Sequence, residues 1–158
     1  MGFAVTIVYY SLSLLSGAIM PNRWTPHATV ATIVEQDQRF LMVEEISAGK
    51  TVINQPAGHI EQHETIIDAA IRETLEESGW QVTPTALIGL YTYTAPANGV
   101  TYHRYCFSAK ADRFLPDSPL DDGIIGPRWM TIEELRHCPN LRSAMVLSCV
   151  EDYLSGKQ

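Results

Sequence analysis

One stretch of this chain has to form a helix with three carboxylates on one side, and this constrains the fold more than any other feature. Thr65 followed three residues later by Asp68 is a capping-box-like start and Gly79 is a stop, so the spacing predicts a helix over residues 65–78. With Arg72 set at 0° and a step of about 100° per residue, Glu76 falls near 40°, Glu73 near 100° and Glu77 near 140°. Ile67, Ile71, Thr74 and Leu75 fall on the other side, which is expected to face a core. Like charges one turn apart destabilise a helix by about 0.2–0.5 kcal/mol per pair, and a purely structural surface helix would interleave lysines here. An oxygen-only cluster suits a hard divalent cation, which removes the repulsion and takes waters and phosphate oxygens as further ligands. A solvated acidic face is the plainer alternative. The spacing favours the metal.

The loop before the helix supports that choice. Pro56 stiffens the approach, and Gly58 is free to take backbone angles barred to other residues, so a carbonyl at Ala57 or Gly58 is expected to face the same cation. Glu64, eight residues before Arg72, is placed to pair with it and brace the loop against the helix. The chain carries a net charge of −7, and residues 58–80 hold six acids against the single base Arg72, so this short segment accounts for −5 of it. An acidic balance argues against a duplex nucleic-acid partner. It leaves room for a small phosphorylated ligand, provided a cation mediates.

At 158 residues the chain fits one domain able to bury a real core. Cys106, Cys138 and Cys149 show no paired spacing and read as small core residues in a reducing, cytoplasmic setting. The first 22 residues carry no charge and form an apolar extension ahead of a domain spanning 23–158. That extension lacks a basic flank and is diluted by serines, so a membrane role is disfavoured but stays open. Other readings are an over-called extension ahead of a start at Met20, or a packed local element.

Residues 28–34 and 39–45 read as a hairpin around the polar stretch 35–38, and residues 51–53 as a strand ending at the breakers 54–58. Residues 86–94 and 101–109 make a second hairpin, 112–126 a loop, and helices are expected from Thr131, with Glu134 three later, and over 141–154. This order argues an α/β domain around a mixed sheet.

Gly58, Glu64, the run Arg72, Glu73, Thr74, Leu75, Glu76, Glu77, Ser78 and Gly79, and then Trp80 together resemble a Nudix box, 23 residues long with its fixed positions filled. Thr74 and Trp80 occupy slots that are usually aliphatic, departures that touch packing and not ligands. The resemblance implies an α/β/α sandwich with a catalytic loop-helix. It also implies a Mg²⁺- or Mn²⁺-dependent hydrolase of phosphoanhydride bonds in nucleoside diphosphate compounds. Carried over by position, Glu73, Glu76 and Glu77 would bind metal, with Glu73 also orienting or deprotonating water. The Ala57 carbonyl would complete the site, Glu64 and Arg72 would brace it, and Gly58 and Gly79 would be structural. Val43 to Glu45, Asn54 to His59, Pro127 to Trp129 and Asn140 to Ser143 are similar to the NudJ-type phosphatases, which remove phosphate from nucleoside tri- and diphosphates and from a thiamine-precursor diphosphate. The contrasting reading is a nucleotide-binding or regulatory module of the same fold without turnover. A small-molecule phosphorylated substrate and a monomer or homodimer are expected.

Outside the box, Arg104 and Arg142 are candidates to clamp phosphate, with His59 and Gln55 as further substrate contacts. Trp24, Tyr91, Tyr93 and Tyr102 are expected in the core more than against a base. Asp117, Asp121 and Asp122 are alternatives for a distal acidic ligand, with no ground in the sequence for choosing among them. His59, Glu61 and His63 do not match a zinc-protease motif, because positions 60 and 62 are Ile60 and Gln62. No P-loop, Rossmann fingerprint or Ser-His-Asp order is present.

Overall fold

Among the described residues, β-branched and aromatic runs set between Gly, Pro and Asn turns form seven strands, and three helices follow from capped, periodic segments. The computed structural model describes residues 23–156. In chain order these are β1 (His27–Gln36), β2 (Arg39–Ser47), β3 (Lys50–Asn54), β4 (Ala57–His59), α1 (Ile66–Ser78), β5 (Trp80–Thr94), β6 (Thr101–Phe114), β7 (Ile124–Met130), α2 (Ile132–Arg136) and α3 (Ala144–Leu154). The apolar N-terminal segment lies outside the described residues. Among those described, no helix is long and apolar enough to cross a membrane.

The sheet runs β3-β2-β1-β6-β5, with β4 added to β1 and β7 to β2. It is mixed, because β1 and β6 are parallel while the other pairs are antiparallel. The first hairpin closes through Asp37 and Gln38, both in the left-handed region that a two-residue type I′ turn requires. Beyond Glu35 and Gln36 its strands part, so β1 pairs with β4 and β6 while β2 pairs with β3 and β7. That parting opens the space in which the site forms.

Strand periodicity builds the three layers. On β1, Val30 packs with Phe107 of β6 under Ala69 and Ala70 of α1. The alternate residues Ala31 and Ile33 face the other way, with Cys106, onto Val146, Cys149 and Val150 of α3. Each fully buried aliphatic side chain in these layers stabilises the fold by about 1.5–3 kcal/mol.

Several expectations are corrected. The second hairpin is longer than its densest β-rich stretches, because β5 begins at Trp80 directly after the helix stop and β6 continues to Phe114. The segment 112–126 is therefore strand at both ends, and part of the breaker group at 54–58 is strand β4, held to β1. The last helix starts at Ala144, since Leu141 bridges to Ile53 and Arg142 N donates to the Ile53 carbonyl.

The buried face of α1 matches the expected one only in part, with Thr74 buried and Ile71 and Leu75 half-buried. Ala69, Ala70, Glu73, Thr74, Glu77 and Ser78 are buried, whereas Ile67 is 49% exposed. The helix docks through small residues, which bring its backbone close enough for the Ala70 carbonyl to accept from Thr32 Oγ1. Two carboxylates are thereby turned inward toward β4.

Candidate active site

Helix α1 is fixed at both ends by its own sequence. Thr65 Oγ1 accepts from Asp68 N at 3.1 Å, and Gly79 closes the helix at φ 71°, donating to the Leu75 carbonyl at 2.8 Å. Between the caps, Arg72 acts as a hub. Its Nε and Nη2 grip both oxygens of Glu64 at 3.1 and 2.7 Å, and Nη2 also donates to the His59 carbonyl at 3.0 Å. Its Nη1 donates to Glu73 Oε1 and Glu76 Oε2, both at 2.9 Å. The Glu64 pair holds the Arg72 guanidinium above its usual pKa, with Glu76 and Glu73 adding to the effect. The same pair holds Glu64 below the usual carboxylate range. Loop and helix are thus tied at one residue. Arg72→Gln is expected to destabilise the protein by about 2–3 kcal/mol, below the figure for a fully buried network because the side chain is partly exposed. Urea unfolding measures this, and a change below about 0.5 kcal/mol contradicts the hub.

Gly58 is required for a reason other than the expected one. It is absent from the glycines at positive φ and lies in β4 opposite Val30. A Cβ built on it would overlap the Glu73 carboxylate, so the glycine makes room for that group. Next to it, Ala57 N donates to Glu77 Oε2 at 2.7 Å. The loop that approaches the helix is therefore cut to fit two of its carboxylates.

Of the three candidate aspartates, Asp121 is the one brought to the helix. Its N donates to the Glu76 carbonyl at 2.9 Å, which holds the 112–126 segment against α1. One carboxylate oxygen from each of Glu73, Glu76 and Asp121 lies within 4.8 Å of the others. Three hard oxygen donors at that separation, one of them cradled by a residue without Cβ, fit a divalent cation.

These carboxylates lie beside a cavity of about 620 Å³. Glu73, Glu77 and Asp121 line it, as do Arg104 and Arg142. Arg142 Nη1 pairs with Glu45 Oε1 at 2.9 Å, whereas Arg104 is buried, donating from Nη1 to Gln55 Oε1 at 3.3 Å. His59 and Tyr102 also line the cavity, with His59 Nε2 at 2.9 Å from His27 Nδ1. Gln55 departs from its expected placement: it is fully buried behind Arg104 and does not line the cavity. Tyr93 lines the cavity, Tyr91 instead donates to Asp152 at 2.9 Å, and Trp24 is exposed with its edge on His103. His63 is an exposed loop residue at positive φ. Glu45 and His27 were missed by sequence reasoning. Glu45 belongs to the Val43 to Glu45 run, but nothing local marks either residue as a neighbour of the cavity.

With no cation bound, burial pushes the Glu77 carboxyl up to about 8, against the Ala57 hydrogen bond and with help from Glu73, Glu45 and Asp121. Burial raises Glu73 as well. The folded state then binds more protons than the unfolded chain between about 4.5 and 8, so stability is present at the acidic end and lost as pH rises through that window. The slope is at most about 1.4 kcal/mol per pH unit for each group. Thermal unfolding in EDTA should therefore show Tm falling from about pH 6.5 to about pH 8, above the range in which burial of His59, which lowers its pKa, acts in the opposite sense, and a saturating divalent cation should flatten the trend. A flat or rising Tm in EDTA contradicts this picture.

A loop and helix that turn acidic side chains toward a cavity also lined by arginines define a phosphohydrolase-type site. The NUDIX domain profile matches residues 25–146. Phosphatase NudJ of Escherichia coli K12 is 38% identical over 133 residues, covering 84% of this chain and 86% of that protein. The structure of a NUDIX hydrolase from Nitrosomonas europaea superposes with a TM-score of 0.83 at 45% identity, over 85% of this chain and 92% of that one. A MutT NUDIX hydrolase from Burkholderia pseudomallei shares the fold, with a TM-score of 0.70 at 19% identity over 82% of this chain and 98% of that one. The chain belongs to the Nudix family and is a hydrolase.

Proposed function

We propose that the protein is a divalent-metal-dependent phosphatase that cleaves phosphoanhydride bonds in nucleoside tri- and diphosphates or related small diphosphates, with Mg²⁺ or Mn²⁺. The observation that carries this reading is the gathering of Glu73, Glu76 and Asp121 oxygens at a cavity whose lining also includes two arginines. The likeness to Phosphatase NudJ supports the substrate class.

Glu73, Glu76 and Asp121 would hold the ion, with Glu77 and the Ala57 carbonyl beside them as further ligands. Such an ion neutralises phosphate oxygens and lowers the pKa of a bound water. Glu73 orients or deprotonates the attacking water, since it alone of Glu73, Glu76 and Asp121 both lines the cavity and is fixed by Arg72. Arg104 and Arg142 bind phosphate oxygens, and His59 contacts the substrate. The catalytic unit is the domain spanning residues 23–158, as a monomer or homodimer. A cytoplasmic setting is the reading favoured by the spacing of Cys106, Cys138 and Cys149 in the sequence.

The test is a panel of nucleoside tri- and diphosphates, ADP-ribose and thiamine-related diphosphates with Mg²⁺, scored for phosphate and pyrophosphate. Phosphate release from the tri- and diphosphates supports the reading. Release from none of the panel, with the ligands still bound, would mean a binding module.

A further inference from the structure

Gln55 has zero exposure, yet both ends of its amide are in use. Its Nε2 donates to the Val146 carbonyl in the first turn of α3 at 2.8 Å. A carbonyl can only accept, so that contact decides which end of the amide faces the other way. The end left over, Oε1, accepts from Arg104 Nη1 at 3.3 Å.

Arg104 is itself 8% exposed, and its Nε has no hydrogen-bond partner. Among the described residues, no carboxylate forms an ion pair with it, unlike Arg142 with Glu45 and Arg72 with its three glutamates. A buried charge without a counterion is costly, and glutamate at position 55 would supply one, at the expense of the donor that the Val146 carbonyl now receives. The chain instead places a neutral amide there, anchored so that it cannot turn. Arg104 is thereby oriented but not neutralised, on the lining of the cavity that also carries Glu73 and Asp121.

We propose that Gln55 is a positioning residue that keeps Arg104 aimed and free of a direct ion pair, reserving it for a phosphate group of the substrate. This rests on the phosphatase reading, in which that group is part of a di- or triphosphate. Gln55 acts through the charge it withholds from its neighbour.

Three variants separate this role from simple packing: Gln55→Glu adds a counterion, Gln55→Met removes both polar ends without adding charge, and Arg104→Lys identifies the guanidinium signal. Inorganic pyrophosphate is titrated into metal-free protein in EDTA while the Arg104 Nε–H resonance is followed by NMR. KM and kcat for ADP with Mg²⁺ are measured alongside, with thermal unfolding as the check on folding. In wild-type protein the Arg104 resonance should shift saturably with pyrophosphate. Gln55→Glu should raise the pyrophosphate dissociation constant and KM by about tenfold or more, the loss falling on KM rather than kcat, and Gln55→Met should raise them clearly less.

Equal losses in the two Gln55 variants, a loss confined to kcat, or an Arg104 resonance unmoved by pyrophosphate would overturn the proposal. Should Gln55→Glu fail to fold, Gln55→Met decides against wild type: pyrophosphate affinity and an Arg104 Nε–H resonance both unchanged in that variant would overturn the proposal. Pyrophosphate binding through Arg104 with no turnover of any nucleotide would sink the phosphatase reading and leave the positioning role standing. Normal turnover with unaltered pyrophosphate binding in Gln55→Glu would sink the positioning role alone.

Discussion

Glu76→Gln is expected to lower phosphate release by more than about a hundredfold while leaving the protein folded, because loss of a charged donor from a three-carboxylate set weakens both cation affinity and the field that polarises the phosphate. Glu76 shares the Arg72 guanidinium with Glu73 and stands within 4.8 Å of Glu73 and Asp121 through its carboxylate oxygen. The glutamine keeps the length of the side chain and an oxygen for Arg72. It also removes one of the like charges crowded on that face, so stability should move by less than about 1 kcal/mol. Activity and stability therefore separate. Turnover within about fivefold of wild type, at saturating Mg²⁺, would falsify the assignment of Glu76.

Gly58→Ala is expected to disable the site sterically, with no charge altered. The added methyl carbon would occupy the space of the Glu73 carboxylate, so Glu73 must swing away or β4 must lift from β1. Displacing Glu73 breaks its 2.9 Å contact with Arg72 and removes one oxygen donor from the cluster. Such overpacking costs about 1–3 kcal/mol, and a shift of about 1 Å at a reacting group costs about a hundredfold in rate. Activity should fall by at least about thirtyfold, with a reduced Mn²⁺ affinity seen by electron paramagnetic resonance. An alanine variant with wild-type Mn²⁺ affinity would show that Gly58 is not there to make room for Glu73. An explanation by backbone angle is already excluded by its ordinary φ.

Local chemistry made the helix and its acidic face legible in the sequence. Thr65, Asp68 and Gly79 mark the ends of α1, and the caps observed there use those residues. Periodicity placed Glu73, Glu76 and Glu77 together, since a helix of known pitch needs no tertiary information. Which face is buried was legible only in part, because burial follows the partner. Ala69 and Ala70 permit the closest approach to β1, and this outweighs the greater apolarity of Ile67. Asp121 could not be told from Asp117 and Asp122 for a similar reason: its place depends on a backbone bond to the Glu76 carbonyl, which no side-chain pattern encodes. The pairing of Arg142 with Glu45 and the sealing of Gln55 behind Arg104 likewise depend on how β2, β6 and α3 meet. Contacts between residues far apart in sequence are made by packing, and packing is where pattern reading stops.

The most direct test of the central claim is the rate of phosphate release from a nucleoside diphosphate as a function of free Mg²⁺, starting from protein stripped with EDTA. A negligible rate without the ion, rising saturably as it is restored, with the saturation curve displaced to higher Mg²⁺ in Asp121→Asn, is the predicted result. Phosphate released as fast in EDTA as in saturating Mg²⁺ would contradict it.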